Sequence, residues 1–291
     1  MSYKIIELEQ GSPEWLSYRR TKITATDTAK IMNLSPFCTP LQLWEEKLGL
    51  RESTPINDKM REGSLMEEQA RDFLNSLSET NFKPIVLESI DFPFMMASLD
   101  GMNSVGDIVE IKCGKKSYED LKEGKIPDYY YAQIQKQIYV SNSICCKYFC
   151  YRSENEHMYN IINRDDAFIE KMIEAEKQFY QCLLNFFPPP ATDKDFIKKD
   201  NDDWYKHTEI WKNTKRQIKI LEAKEEALRH ELIAMCDGQS SQGNGVRISK
   251  TITKGRVDYS NIEALKEIDL EQYRGKNITS FRFTEMKEKD G

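Results

Sequence analysis

The chain has 291 residues, 39% of them hydrophobic and 31% charged, and a formal net charge of −6. That length suits one large domain or two ordinary ones with ample core, and the acidic balance argues against a generally basic nucleic-acid coat. No apolar run approaches the roughly 20 residues of a membrane span, and the Met-Ser-Tyr-Lys-Ile-Ile-Glu start lacks a signal-peptide layout. A cytoplasmic location without a membrane partner is therefore expected, with the seven cysteines reduced. Cys145, Cys146 and Cys150 are the only close group, no C-x2-C pair occurs and the three histidines are scattered, so no zinc or iron–sulfur site is expected.

Ser12-Pro13-Glu14-Trp15 reads as a helix start, with a serine cap, proline at the first position and an acid in the first turn. A second helix is expected from Thr24–Thr26 to Met32, and a third from Thr39-Pro40 through Leu48, ended by Gly49. Trp15 and Trp44 are assigned to the core. Residues 63–77 predict a helix whose inward stripe is Met66, Ala70, Phe73 and Leu77. Strands follow at 84–90, 93–99 and 106–112, then a helix from Pro127 to Ser141, strands at 147–152 and 158–163, and a helix over 165–187. On the helix from Pro127, Tyr130, Gln133 and Gln137 share one face. This order predicts an α/β core rather than a bundle. Pro188-Pro189-Pro190 marks a boundary, dividing the chain into 1–190 and 191–291. Beyond it, Trp204, Trp211, Ile218, Leu221, Leu228, Leu232 and Met235 predict a long amphipathic helix over 202–236, its stripe read as a packing face before a partner site. A Gly-rich turn (238–245), a strand at 246–253, a helix at 260–267 and a strand at 278–284 complete an α+β extension.

The chemistry concentrates in Ser98-Leu99-Asp100-Gly101 and Glu110-Ile111-Lys112. Strand residues two apart point to one face, so Glu110 and Lys112 project together while Val109 and Ile111 pack behind. A second strand ending at Asp100 would bring its carboxylate alongside. Two carboxylates with a lysine suit a hard divalent cation and a nearby attacking water. The pattern is that of a metal-dependent nuclease.

Four collinear motifs strengthen it: Gly11-Ser12-Pro13-Glu14-Trp15 with Arg19 and Ile23-Thr24-Ala25-Thr26; Gly63-Ser64-Leu65-Met66-Glu67; the Asp100/Glu110/Lys112 set; and Tyr130-Tyr131-Ala132-Gln133-Ile134-Gln135 running into Tyr139. Over residues 10–187 the chain resembles phage-type alkaline exonucleases of the lambda exonuclease/YqaJ class, in the PD-(D/E)xK nuclease superfamily. The resemblance implies a restriction-endonuclease-like fold, a mixed central sheet flanked by helices. It further implies that Asp100, Glu110, the Ile111 carbonyl and Glu67 ligate one or two Mg²⁺ ions, with Mn²⁺ as substitute. Lys112 would face the attacking water, and Gln133 would help position that water or the Lys112 end of the site. Arg19, Thr26 and Ser98 match the positions that hold a 5′-terminal phosphate, Thr26 standing where a serine is expected. Tyr130 joins them on the substrate side, although packing against neighbours is its first expectation. Blander roles are a solvated Glu67, an Arg19–Glu14 pair, and Thr26 and Ser98 as caps.

The implied activity is Mg²⁺-dependent 5′→3′ digestion of linear double-stranded DNA, leaving 3′ single strands for annealing-type recombination. A single-strand annealing protein as partner and a homotrimer are implied with it. A PD-(D/E)xK endonuclease, an RNA-acting nuclease and a non-catalytic DNA-binding scaffold are the alternatives.

Overall fold

The computed structural model describes residues 3–52, 58–78 and 81–251, and the chain divides after Ile197 into two units. In the first unit, a short strand β1 (Tyr3–Ile5) precedes three helices, α1 (Pro13–Arg20), α2 (Ala25–Ile31) and α3 (Pro40–Lys47). Each begins where the sequence supplies a cap. Ser12 Oγ accepts the Trp15 N–H at 3.1 Å, and Thr39 and Gln42 bond reciprocally at 3.1 and 3.2 Å. Helix α4 (Asp58–Ser78) follows, then strands β2 (Lys83–Ser89), β3 (Met96–Met102) and β4 (Ile108–Cys113). Helices α5 (Lys115–Lys122) and α6 (Asp128–Ser141) lead to β5 (Cys145–Ser153), β6 (Glu156–Asn163) and α7 (Asp166–Leu184).

The strands form one six-stranded sheet in sequence order. All pairs are antiparallel except β4–β5, which α5 and α6 join as a crossover. The alternation of β4 assigns its two faces. Val109 and Ile111 pack with Ala70 and Leu74 of α4, whereas Ile108 packs with Ile134 and Ile138 of α6. Glu110 and Lys112 share the Ile108 face and so lie on the α6 side. Trp15 and Trp44 are both buried.

Several expectations are corrected. The α4 stripe turns through Ala70 and Leu74, i and i+4, while Leu77 is 55% exposed. The strand expected at 93–99 begins at Met96, because Pro93 lies in a turn closed by Met95 N–H to the Phe92 carbonyl at 2.8 Å. It also runs past Asp100 to Met102 instead of ending there. Strand β1 and helix α5 were not anticipated, being short or weakly patterned. The first unit extends past the three prolines since a 3-10 turn at Asp193–Asp195 is tied back to it. Thr39 Oγ1 donates to Asp195, and Lys194 Nζ to the Ser35 carbonyl at 3.1 Å.

The second unit contains α8 (Asp202–Ala234) and a hairpin of β7 (Ser241–Gly243) and β8 (Val246–Ile248). Among the described residues of α8 none is buried, and Ile218, Leu221 and Leu228 of the stripe expected to pack are exposed. Its C-terminal Leu232 lines a small cavity with Cys236, Val246 and Ile248. The glycine turn expected at 238–245 includes β7, and the strand expected at 246–253 shortens to β8. The helix at 260–267 and the strand at 278–284 lie outside the described residues. Among the described residues no helix is long and apolar enough to cross a membrane.

Candidate active site

The β3–β4 ladder runs through Met102↔Ile108 to Gly101↔Val109 and stops there. Gly101 is required at that last pair: a Cβ on it would lie 2.7 Å from both Phe82 Cβ and Val109 Cγ1. Continuing the register would set Asp100 opposite Glu110, the next residues on each strand. Here the strands part, and the Asp100 carboxylate instead accepts the Ile111 N–H at 2.8 Å. The end of a ladder thus delivers both acids and Lys112 to one place.

Glu110 is 1% exposed and both its carboxylate oxygens accept hydrogen bonds. Oε1 accepts from Lys112 Nζ and from Gln133 Nε2 (2.6 Å), and Oε2 from Gln137 Nε2 (2.5 Å). Gln137 also reaches the Ser98 carbonyl at 3.3 Å, so α6 clamps β3 and β4 with two amides one helical turn apart. Burial alone would cost such a carboxylate heavily; a cation and two N–H donors offset that cost. From the opposite face, Arg71 of α4 donates to Glu67 at 3.1 Å and to the Asp100 carbonyl at 2.8 Å. Lys112 Nζ lies 4.7 Å from the Tyr130 ring centroid.

The electrostatics follow from this crowding. Loss of solvent, then the charges of Glu110 and Glu67, push the Asp100 carboxyl well above the carboxylate range. Burial also raises Glu67, with Arg71 working against it. Burial would lower Lys112, but Glu110 and Asp100 outweigh it and hold the ammonium protonated.

Among the described residues no three His, Cys, Asp or Glu side chains surround one metal position. The Glu110 oxygens are held by Lys112 and the glutamines, and an Asp100 oxygen by Ile111. The donor chemistry nevertheless fits a hard divalent cation. Asp100, Glu110 and Glu67 are oxygen donors; the Glu110 charge raises the proton affinity of Asp100 and of Glu67, and a cation relieves that repulsion.

A second cluster forms around the start of α2. Arg19 Nη2 donates to Thr26 Oγ1 at 2.6 Å, Thr26 lies 3.1 Å from Thr24 Oγ1, and the Arg19 guanidinium sits 4.9 Å from the Trp15 ring. The expected Arg19–Thr26 pair is thus brought together. Ser98 contributes to the Glu110 cluster through its carbonyl. Although burial pushes Asp27 up, Lys47, Lys30 and Arg19 outweigh it and hold the carboxyl well below its ordinary range.

Sequence reasoning set Gln137 on the face of Gln133 without assigning it to the site, and it missed Arg71, which was detectable at i+4 from Glu67.

Residues 14–143 match the YqaJ-like viral recombinase domain. The YqaJ protein of Bacillus subtilis (strain 168) is 30% identical over 207 residues, covering 66% of this chain and 64% of that protein. A protein of Acanthamoeba polyphaga mimivirus is 24% identical over 217 residues, 69% of this chain and 39% of its own length. The chain therefore spans less than two thirds of either relative. In fold, it is similar to the alkaline exonuclease LHK-Exo of Laribacter hongkongensis, with a TM-score of 0.54 and 23% identity over 60% of this chain and 94% of that one. The same enzyme in complex with dAMP gives a TM-score of 0.53 at 22% identity, over the same shares of the two chains.

Proposed function

We propose that the chain, whose residues 14–143 match the YqaJ-like viral recombinase domain, is a Mg²⁺-dependent 5′→3′ exonuclease on linear double-stranded DNA. Its product would be the 3′ single strand used in annealing-type recombination. The observation that carries this reading is the convergence of Asp100, Glu110 and Lys112 where β3 and β4 part, clamped by Gln133 and Gln137.

Asp100, Glu110, Glu67 and the Ile111 carbonyl would hold one or two Mg²⁺ ions, with Mn²⁺ as substitute. Such an ion supplies charge neutralisation at the phosphate and lowers the proton affinity of a bound water. Lys112 stays cationic beside Glu110, which suits it to orient the attacking water and to stabilise negative charge on the pentavalent phosphate. Gln133 and Gln137 fix Glu110 and thereby the position of Lys112. The Tyr130 ring faces the ammonium at 4.7 Å and favours its charged form.

Arg19 and the Thr24 and Thr26 hydroxyls suit a 5′-terminal phosphate, for which a guanidinium offers paired donors. Ser98 joins this set by resemblance. A single-strand annealing protein as partner and a homotrimeric assembly belong to the same proposal.

The test is digestion of linear duplex DNA in Mg²⁺, comparing 5′-phosphate with 5′-hydroxyl ends, beside closed circles and a Lys112→Ala control. Rapid loss of phosphorylated ends, intact circles and at least a 100-fold slower Lys112→Ala chain are expected, in line with the roughly 10²–10³ lost with one transition-state donor. Nicked circles would identify an endonuclease, and no cleavage with any divalent metal a DNA-binding scaffold.

A further inference from the structure

Three aromatic rings run outward from Lys112. Tyr130 lies 4.7 Å from its ammonium, the Tyr129 ring 4.4 Å from Tyr130, and the Phe37 ring 5.8 Å from Tyr129 at 75°. The row ends in water, since Phe37 is 79% exposed. A single exposed apolar ring is ordinary on a protein surface, but this one is held out by a fixed backbone. The Phe37 N–H donates to Ser35 Oγ at 3.2 Å, and Ser35, Cys38 and Thr39 around it are all buried. The segment therefore invests three buried anchors in presenting one ring, and does so at the outer end of a row that starts at the candidate catalytic lysine.

We propose that Phe37 and Tyr129 form a stacking platform for an unpaired nucleobase adjoining the phosphodiester held at Lys112. The proposal deepens the nuclease reading and rests on it. A base inside a duplex has both faces occupied by its neighbours, so an open ring face selects a base that has left the stack. Every base has a π-face, which makes the platform indifferent to sequence. Phosphate is the poorer occupant. The Asp120 charge acts on Tyr129, and Tyr129 is pushed up to about 12, by burial first and then by Tyr130, so it stays a neutral phenol. Neither Phe37 nor Tyr129 offers a cation.

The experiment uses the full chain bearing Lys112→Ala, so that DNA survives, with Mg²⁺ present. The probes are short single strands and frayed duplexes carrying 2-aminopurine at each of the three terminal positions in turn. Stacking predicts fluorescence quenching at one of these positions. It also predicts that adding Phe37→Ala or Tyr129→Ala removes the quenching and weakens binding roughly tenfold. Phe37→Trp should keep both. The Lys112-intact chain is assayed for digestion alongside. Digestion together with quenching and affinity unchanged by Phe37→Ala overturns the platform and leaves the nuclease reading intact. Quenching that depends on Phe37, without digestion, supports the platform and overturns the nuclease reading. No binding to any of the strands overturns the platform, and without digestion it overturns both readings.

Discussion

Asp100 sets stability against activity. Its carboxyl is pushed above the ordinary 3.8 by loss of solvent and by Glu110 and Glu67, so ionising it costs the folded chain more than the unfolded one. Stability from this group is highest at low pH and falls as pH rises above 3.8 toward the raised folded value. Asp100→Asn can still accept the Ile111 N–H, yet carries no charge. It should therefore raise Tm at neutral pH while abolishing cleavage, a trade common at active sites. Mg²⁺ should raise Tm in the unmodified chain and leave Asp100→Asn unmoved. An equal Mg²⁺ shift in both would remove Asp100 from the ligand set. At this scale the sequence was legible where spacing decides, since Glu110 and Lys112 share a strand face, whereas Gln133 over them was implied by the family resemblance. That Asp100 would bond Ile111 instead of joining a ladder was not legible, because it depends on where two strands part.

Among the elements, α4 and the α2–α6–α7 junction carry separate tests. Leu74 is 2% exposed against the sheet, so Leu74→Ala should cost about 2–5 kcal/mol in urea unfolding. Leu77→Ala, at a site 55% exposed, should stay within about 0.5 kcal/mol. Equal losses would restore the Met66–Leu77 stripe. At the junction, Lys136 of α6 and Glu176 of α7 pair with no solvent exposure on either side chain, and Thr28 of α2 donates to Glu176 at 2.6 Å. Burial raises Glu176 and lowers Lys136, which marks how much desolvation the pair bears. Removing one partner leaves a buried charge alone, so Glu176→Gln should destabilise by about 3–5 kcal/mol. The Lys136→Met/Glu176→Leu double variant should recover most of that loss. If it does not, the pair itself is a net source of stability. The position of these groups on helices was readable from the sequence; that three helices would bring them together was not.

For the whole molecule, the buried clusters of the first unit draw, among the described residues, on positions between Tyr3 and Leu183. A chain ending at Ile197 should therefore keep a cooperative thermal transition and the near-UV signature of packed Trp15 and Trp44. Ending it instead at Pro190 removes Lys194 and Asp195, which bond Ser35 and Thr39, and should lower Tm. If both truncations melt alike, the turn at Asp193–Asp195 is not part of the folded unit's support.

The sequence by itself determined the order of the elements other than β1 and α5, the caps that start the N-terminal helices, and the strand face shared by Glu110 and Lys112. These depend on neighbours a few residues apart, where backbone period and side-chain chemistry are sufficient. It also carried the family resemblance, since four motifs in order survive without knowledge of their contacts. Tertiary structure alone decided where the β3–β4 ladder stops, which leucine of α4 turns inward, the reach of Arg71 to the Asp100 carbonyl, and the row from Lys112 to Phe37. Each of these joins segments far apart in the chain, and no local period encodes which distant backbone group or ring will be met.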